Sequence, residues 1–307
     1  MSRVLITGNG FIAAHVAERY ITNGAEVCVA SRSPGWRLTP FQGRFLSLPL
    51  TLPDVDAAED VLRTFMPEII VHLAGVTPGR GADNTFLSVN RDGTRDILEA
   101  ARHAPSVRHV ITLGSASEYG LHADTIDESS ECTPLDAYGT SKLEATRTVA
   151  DFSAHFRRTV LRPCTIYGEA QTFSMLIPLV IRACIAKTPL SLTPLAQEID
   201  FLHINDLVDA IVRTPERLGD TFEILNIGSG SAIPVREVVG KIAALCDAEN
   251  VLHVGALPYR AHEPFRRLLS IKKAARLLSW VPRISLDDGL TRTAAWYRDN
   301  QHRFSML

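Results

Sequence analysis

Tyr138-Gly139-Thr140-Ser141-Lys142 sets a phenol and an ammonium four residues apart, at the start of a segment that reads as helix to residue 149. Side chains at i and i+4 leave a helix on one face. A free tyrosine, with a pKa of about 10, is a poor acid–base group at neutral pH. A nearby ammonium, with the positive ring of an oxidised nicotinamide, favours the phenolate and makes proton exchange with a substrate oxygen feasible. Upstream, the apolar run 107–113 ends in Gly114-Ser115-Ala116-Ser117-Glu118-Tyr119-Gly120. An open α/β sheet presents its chemistry just past the C-terminal ends of parallel strands. Ser115 is therefore the candidate to hold a reacting oxygen beside Tyr138. Each feature alone is commonplace, since Tyr-x-x-x-Lys arises by chance and Ser/Gly-rich stretches are ordinarily loops.

A second constellation opens the chain. The β-rich run Arg3–Thr7 feeds Thr7-Gly8-Asn9-Gly10-Phe11-Ile12-Ala13, after which Phe11, Ile12, Val16, Ala17 and Tyr20 recur at helical spacing up to Asn23-Gly24. Gly8 permits a tight turn, Gly10 lets backbone approach a pyrophosphate, and the helix N-terminus offers free amides. Its place at the first strand–helix junction is the context that makes the motif a dinucleotide site. Strand two, 26–30, ends at Ser31-Arg32 with no acid to accept a ribose 2′-hydroxyl, and an arginine suits a 2′-phosphate. This ending favours NADP(H), with NAD(H) as the other possibility.

These residues need a scaffold, and the pattern predicts one. Short apolar runs at 3–7, 26–30, 68–74, 107–113 and 160–162 alternate with helical stretches, including 86–102, which is the signature of βαβ units and a parallel sheet buried on both faces. The fold class expected is α/β: a Rossmann-type doubly wound parallel sheet with a smaller C-terminal α/β substrate-binding cap. Residues 1–164 form the dinucleotide domain, with 201–230 returning to it, and 165–200 with 231–307 form the cap. Prolines at 178, 189 and 194 break the alternation beyond residue 162; a strand at 199–204 and helices from 205 and over 235–246 follow.

The 307-residue chain is 46% hydrophobic and 21% charged with a net charge of −2, which argues against a nucleic-acid partner. The five cysteines form no close pair and fit a reducing compartment, and the ten histidines show no ligand spacing, so no metal is assigned. No signal peptide or membrane-length apolar run is present, and the expected location is cytoplasmic.

At this point the chain resembles the extended short-chain dehydrogenase/reductase family, whose members mostly act on nucleotide sugars. The resemblance spans nearly all of it: the glycine turn, Val71-His72-Leu73-Ala74-Gly75, Val89-Asn90-Arg91-Asp92-Gly93-Thr94, the Ser/Tyr/Lys set, Leu161-Arg162-Pro163-Cys164-Thr165-Ile166-Tyr167-Gly168, Asp200-Phe201-Leu202-His203-Ile204-Asn205-Asp206, Asn226-Ile227-Gly228-Ser229-Gly230 and a closing helix at 286–297. It implies Ser115, Tyr138 and Lys142 as the catalytic triad, with Asn90 supporting them. It implies Gly8, Asn9, Gly10, Phe11, Ile12, Ser31, Arg32, Leu73, Ala74, Gly75, Tyr138, Lys142 and Pro163 around the cofactor, and Ser115, Ser117, Thr165 and Arg260 on the substrate. A homodimer paired through Phe86, Leu87 and the helix after Pro134 is the implied assembly.

The departures narrow the activity. Family dehydratases carry Asp-Glu directly after the triad Ser/Thr, whereas Ala116 and Ser117 stand here, so water elimination is not expected. The glycine turn is one residue shorter than usual and ends in Ala13. An arginine usual before Asp200 is Ile199, and the asparagine usual before Tyr-Gly is Thr165, so any grip on a nucleotide diphosphate is rebuilt or dispensed with. The leading expectation is an NADPH-dependent ketoreductase acting on a nucleotide-linked 4-keto-deoxysugar. The alternatives are a nucleotide-sugar epimerase with retained NAD and, remotely, a non-catalytic dinucleotide sensor. Arg266-Arg267 and Lys272-Lys273 read as a solvated face, and Trp280 and Trp296 as packing of the cap.

Overall fold

The structure is a computed structural model describing residues 2–33, 35–78, 83–217, 222–259 and 263–306. The first half runs β1 (Arg3–Thr7), α1 (Phe11–Thr22), β2 (Glu26–Ser31), β3 (Leu46–Pro49), α2 (Val55–Phe65), β4 (Ile69–His72), α3 (Asp83–Phe86), α4 (Gly93–Arg102) and β5 (His109–Leu113). There follow α5 (Ala137–Asp151), β6 (Arg157–Pro163), β7 (Thr165–Tyr167), α6 (Leu176–Ala186), β8 (Leu190–Leu192), β9 (Glu198–His203), α7 (Ile204–Arg217) and β10 (Phe222–Ile227). The chain closes with β11 (Ala232–Pro234), α8 (Val235–Leu245), β12 (Leu252–Val254), β13 (Arg266–Arg267), α9 (Lys272–Leu278) and α10 (Leu286–Asp299).

Seven parallel strands form the main sheet in the order β10-β6-β5-β4-β1-β2-β3. The order reverses at β1, where β2 and β3 lie to one side and β4 and β5 to the other. A crevice therefore opens beyond the C-terminal ends of β1 and β4, the switch point at which such sheets bind ligands. The central strands are buried on both faces. One face packs Val4, Ile6 and Ile111 against α1, α7 and α9, and the other packs Leu5, Ile70 and Val110 against α2, α4 and α5.

Beside this domain, β7, β9, β11 and β13 make a small sheet and β8 pairs with β12. A separate apolar core holds Val180, Ile181, Val238, Ile242, Leu290 and Tyr297 together. Asp200 joins the layers: its buried carboxylate accepts from the Ser229 amide (2.8 Å) and hydroxyl (2.6 Å), tying the turn after β10 to β9. Thus β9 belongs to the small sheet, while α7 and β10 complete the large domain.

Three local expectations are corrected. The strand expected over 68–74 ends at His72, because the Leu73 and Ala74 amides turn onto the Thr7 hydroxyl at 3.1 and 3.2 Å. The helix expected over 86–102 is interrupted by a π-turn at Leu87–Asp92. Its wider turn faces Asn90 inward, and the Thr94 hydroxyl donates to the Asn90 carbonyl at 2.6 Å. Trp280 packs with α7 and α9 rather than in the cap, donating Nε1–H to the Asp206 carbonyl at 3.1 Å.

Candidate active site

The glycine turn is shaped by what lies beside it. Gly8 has φ +88°, and a Cβ there would stand 3.1 Å from the Ala74 backbone, so a side chain would push β1 off the chain leaving β4. Gly10 is the N-cap of α1, with no side-chain cap bond and no acid in the first turn, and a Cβ on it would meet nothing within 4 Å. The first amides of α1 thus face open space in which an anion fits. Asn9 donates its amide to the Ser33 carbonyl, tying this turn to the loop after β2.

One continuous cleft runs from this turn to the Tyr/Lys pair. Gly10, Phe11, Ile12 and Ala13 line one end, Leu73, Ala74 and Gly75 a side, and Ser115, Tyr138, Lys142 and Pro163 the other end. The lining fits an extended dinucleotide: the free α1 amides would hold its phosphates, and Tyr138 and Lys142 would flank its reactive ring. Ser115, from the end of β5, and Tyr138, from the first turn of α5, are brought together across 22 intervening residues.

The Ser115 turn rests on a buried charge. Ser115 Oγ accepts the Ser117 amide at 3.1 Å, and Glu118 Oε1 accepts the Ser115 amide at 2.7 Å, closing a capping box. Glu118 is 0% exposed and its Oε2 accepts from Arg162 Nε at 2.7 Å. Arg162 also donates to the Tyr119 hydroxyl (2.9 Å), which donates to Asn226 Oδ1 (2.7 Å). Burial pushes the Glu118 carboxyl up, and the Arg162 and Lys142 charges pull it back.

Burial pushes the Tyr138 phenol up to about 12, with the hydrogen-bonding Ser115 hydroxyl acting the other way. Phe86 meets the Tyr138 ring edge-on at 5.9 Å. Burial lowers the Lys142 pKa while Glu118 raises it, and its Nζ donates to the Leu113 carbonyl. Asn90 stands behind the pair. Its Oδ1 accepts the Val76 amide (2.8 Å), and its Nδ2 donates to the Val76 carbonyl (3.1 Å) and Ser141 Oγ (2.9 Å). The Asn90 side chain therefore clamps the β4 loop to α5.

His72 links these parts. Its Nδ1 meets Thr7 Oγ1 at 2.7 Å and its Nε2 meets Thr94 Oγ1 at 3.2 Å. The Thr94 hydroxyl gives its proton to Asn90, so Nε2 carries the ring hydrogen and Nδ1 accepts from Thr7. Burial, then the Lys142 charge, lowers its pKa to about 3 from the ordinary 6.5. A neutral His72 supports the fold fully above pH 6.5. Below that the unfolded chain takes up a proton the folded chain refuses, costing about 1.4 kcal/mol per pH unit toward pH 3. Denaturant titrations from pH 7 to 4 are expected to show this slope, reduced in His72→Gln.

The remaining predicted residues are dispersed. Arg32 is exposed beyond β2, and the Ser31 hydroxyl is spent on the Ser33 carbonyl at 2.9 Å. Ser117 and Thr165 do not line the cleft; Cys164, Ile166, Gln171, Thr172 and Met175 form that wall. Arg260 lies outside the described residues. Phe86, expected at a subunit interface, is buried against Tyr138, whereas Leu87 is exposed. The solvated face expected at Arg266-Arg267 is corrected by the register of β13, which pairs Arg266 with Glu198 and Arg267 with Ile199. Side chains alternate along a strand. Arg266 accordingly forms an ion pair with Glu198, and Arg267 shares the opposite face with Ile199, which packs against the cap core. A two-residue strand carries no periodic signal, so sequence could not orient it.

Such a cleft at a sheet switch point, ending on Ser, Tyr and Lys, defines an NAD(P)-dependent oxidoreductase of the extended short-chain dehydrogenase/reductase type. The chain belongs to the NAD dependent epimerase/dehydratase family, whose model matches residues 4–228. It is similar to the "Uncharacterized UDP-glucose epimerase YtcB" of Bacillus subtilis, 26% identical over 96% of this chain and 97% of that one. It is also similar to the dTDP-6-deoxy-L-talose 4-dehydrogenase (NAD(P)(+)) of Kitasatospora kifunensis, 27% identical over 93% and 92% of the two chains. Among solved structures, MoeE5 in complex with UDP-glucuronic acid and NAD superposes with a TM-score of 0.86 at 28% identity, covering 97% and 99% of the two chains. No helix among the described residues is long and apolar enough to cross a membrane.

Proposed function

We propose that this chain interconverts carbinol and ketone on the sugar of a nucleotide-linked sugar, and that it does so as a C4 epimerase retaining NAD. One observation carries the reading. The only acid in the 115–118 turn, Glu118, is fully buried on Arg162, which leaves Ser115 and Tyr138 without the carboxylate pair that water elimination demands. Reversible oxidation at one carbon is the chemistry those groups serve. The relatives named as UDP-sugar epimerases and the neighbour holding UDP-glucuronic acid with NAD support the same class.

A nicotinamide dinucleotide bound in the cleft supplies the two-electron acceptor and donor. Tyr138 exchanges the proton with the substrate oxygen, and Ser115 donates a hydrogen bond that holds that oxygen beside it. With its pKa pushed up to about 12, the phenol is protonated at neutral pH and ready to donate to a ketone. The reverse step needs the phenolate, which the Lys142 ammonium favours; Glu118 in turn helps keep Lys142 charged. The Asn90 clamp holds α5 in register with the cleft.

A second reading is the NADPH-dependent ketoreductase, favoured by the exposed Arg32 at the end of β2 and the lack of an acid there. The two readings differ in cofactor exchange. For the epimerase, purified protein is expected to carry NAD and to equilibrate UDP-glucose or UDP-glucuronic acid with the C4 epimer, seen by NMR, without added cofactor. Calorimetric preference for NADPH that is lost in Arg32→Ala, with no epimerisation, would replace it with the reductase.

A further inference from the structure

Residues 169–172 form a wall one chain thick between two cavities. Gln171 and Thr172 line the dinucleotide cleft together with Gly10, Phe11 and Ile12. Glu169 and Ala170, next to them in sequence, line a second cavity with His15, Trp36 and Arg37. Ala170 has φ +62°, a left-handed conformation that residues with a side chain rarely adopt. Local backbone preference therefore does not shape this wall, and bonds from either side must hold it. The cap supplies some of them. Tyr297 of α10 donates to the Gln171 carbonyl, Gln171 Nε2 donates to the Ile166 carbonyl at 2.8 Å, and Glu169 lies 3.2 Å from His203 Nε2.

The dinucleotide domain supplies another: Arg37 Nε donates to the Ala170 carbonyl at 2.8 Å. The guanidinium also lies over the Trp36 ring, 4.5 Å from its centroid, which sets its direction. The segment that carries Arg37 is itself fastened to the glycine turn. Asn9 donates to the Ser33 carbonyl, and a Cβ on Gly35 would stand 3.0 Å from Asn9. Contacts thus run from the turn at Asn9, through Ser33 and Gly35 to Arg37, and on to the cleft wall at Ala170. A dinucleotide seated in the cleft would lie between the two surfaces that these contacts join. We propose that Arg37 is a latch, which holds residues 169–172 closed on bound NAD and so keeps the cofactor in place between turnovers. Arg37 is a positioning residue, since neither it nor Ala170 lines the cleft itself. Release of NAD requires the wall to move, and each bond that must break first slows it. The proposal rests on the reading above, an epimerase that retains its NAD.

The test compares NAD-loaded wild type with Arg37→Met, which keeps an unbranched stem beside Trp36 but carries no N–H, and Arg37→Lys, which restores a donor. NAD release is timed by exchange of bound radiolabelled NAD against excess unlabelled NAD. Hydrogen–deuterium exchange over 169–175 and over α5 is read on the same samples, with the thermal midpoint. We expect Arg37→Met to release NAD at least ~10-fold faster, the factor that loss of one charge-assisted hydrogen bond implies, with Arg37→Lys between it and wild type. Amides over 169–175 should exchange faster in Arg37→Met while those of α5 keep the wild-type rate. Equal NAD release by wild type and Arg37→Met would overturn the latch and leave the retained-NAD epimerase intact. Faster release with a lowered midpoint and equally faster exchange in α5 would also overturn it, because the variant would then be loosened throughout. Wild type that loses NAD on desalting and shows no epimerisation would overturn the proposed function, and the latch with it. If Arg37→Met fails to fold, wild type carries the test: NAD must slow exchange over 169–172, and an unchanged rate there would overturn the latch.

Discussion

Tyr138→Phe is expected to lower turnover of the NAD-loaded protein by about 10²–10⁴-fold, the range for loss of a positioned acid–base group, with NAD still bound. The substitution removes one oxygen and retains the ring that packs edge-on against Phe86, so the thermal midpoint should hardly move. The loss should fall on kcat rather than KM, because the hydroxyl acts on the reacting oxygen. A direction-dependent pH profile should accompany it in wild type. A phenol pushed up to about 12 is only about one part in 10⁴ ionised at pH 8, so oxidation should accelerate with pH until cofactor and Lys142 have brought the phenolate in. Ketone reduction, which uses the protonated form, should be flat over the same range. Near-wild-type turnover by Tyr138→Phe on a verified substrate would remove Tyr138 from the mechanism.

The largest effect on stability is expected from Glu118→Ala. Arg162 would be left buried at 3% exposure with its charge uncompensated, and the Ser115 amide would lose its acceptor. Breaking a buried pair from one side costs about 3–5 kcal/mol, which denaturant unfolding would resolve easily. The double variant Glu118→Leu with Arg162→Met should recover much of the loss, because no charge is then stranded. Activity should not return with it: the Ser115 turn depends on Glu118 closing the capping box. A single variant that unfolds like wild type would mean that water reaches Arg162 and that the pair is not the bed of the turn.

Much of the chemistry was legible in sequence because it depends on local spacing. Tyr138 and Lys142 share a face of α5 since a helix brings i and i+4 together, and Gly8 and Gly10 are demanded by a tight turn at a strand–helix junction. The alternation of buried strands with amphipathic helices likewise determined a doubly wound sheet. What sequence could not orient was anything resting on a single packing decision. The π-turn at Leu87–Asp92 shifts the helical phase by a residue, carrying Asn90 inward and Phe86 onto Tyr138, and no periodicity announces it. Glu118 reads as an ordinary loop acid until Arg162 from β6 arrives beside it. Arg267 reads as half of a solvated basic pair, and only the register of β13 on β9 separates it from Arg266 and sets it beside Ile199. Sequence determined which groups local geometry would hold together; tertiary structure decided which distant charges would meet, because strand register and burial depend on the whole chain.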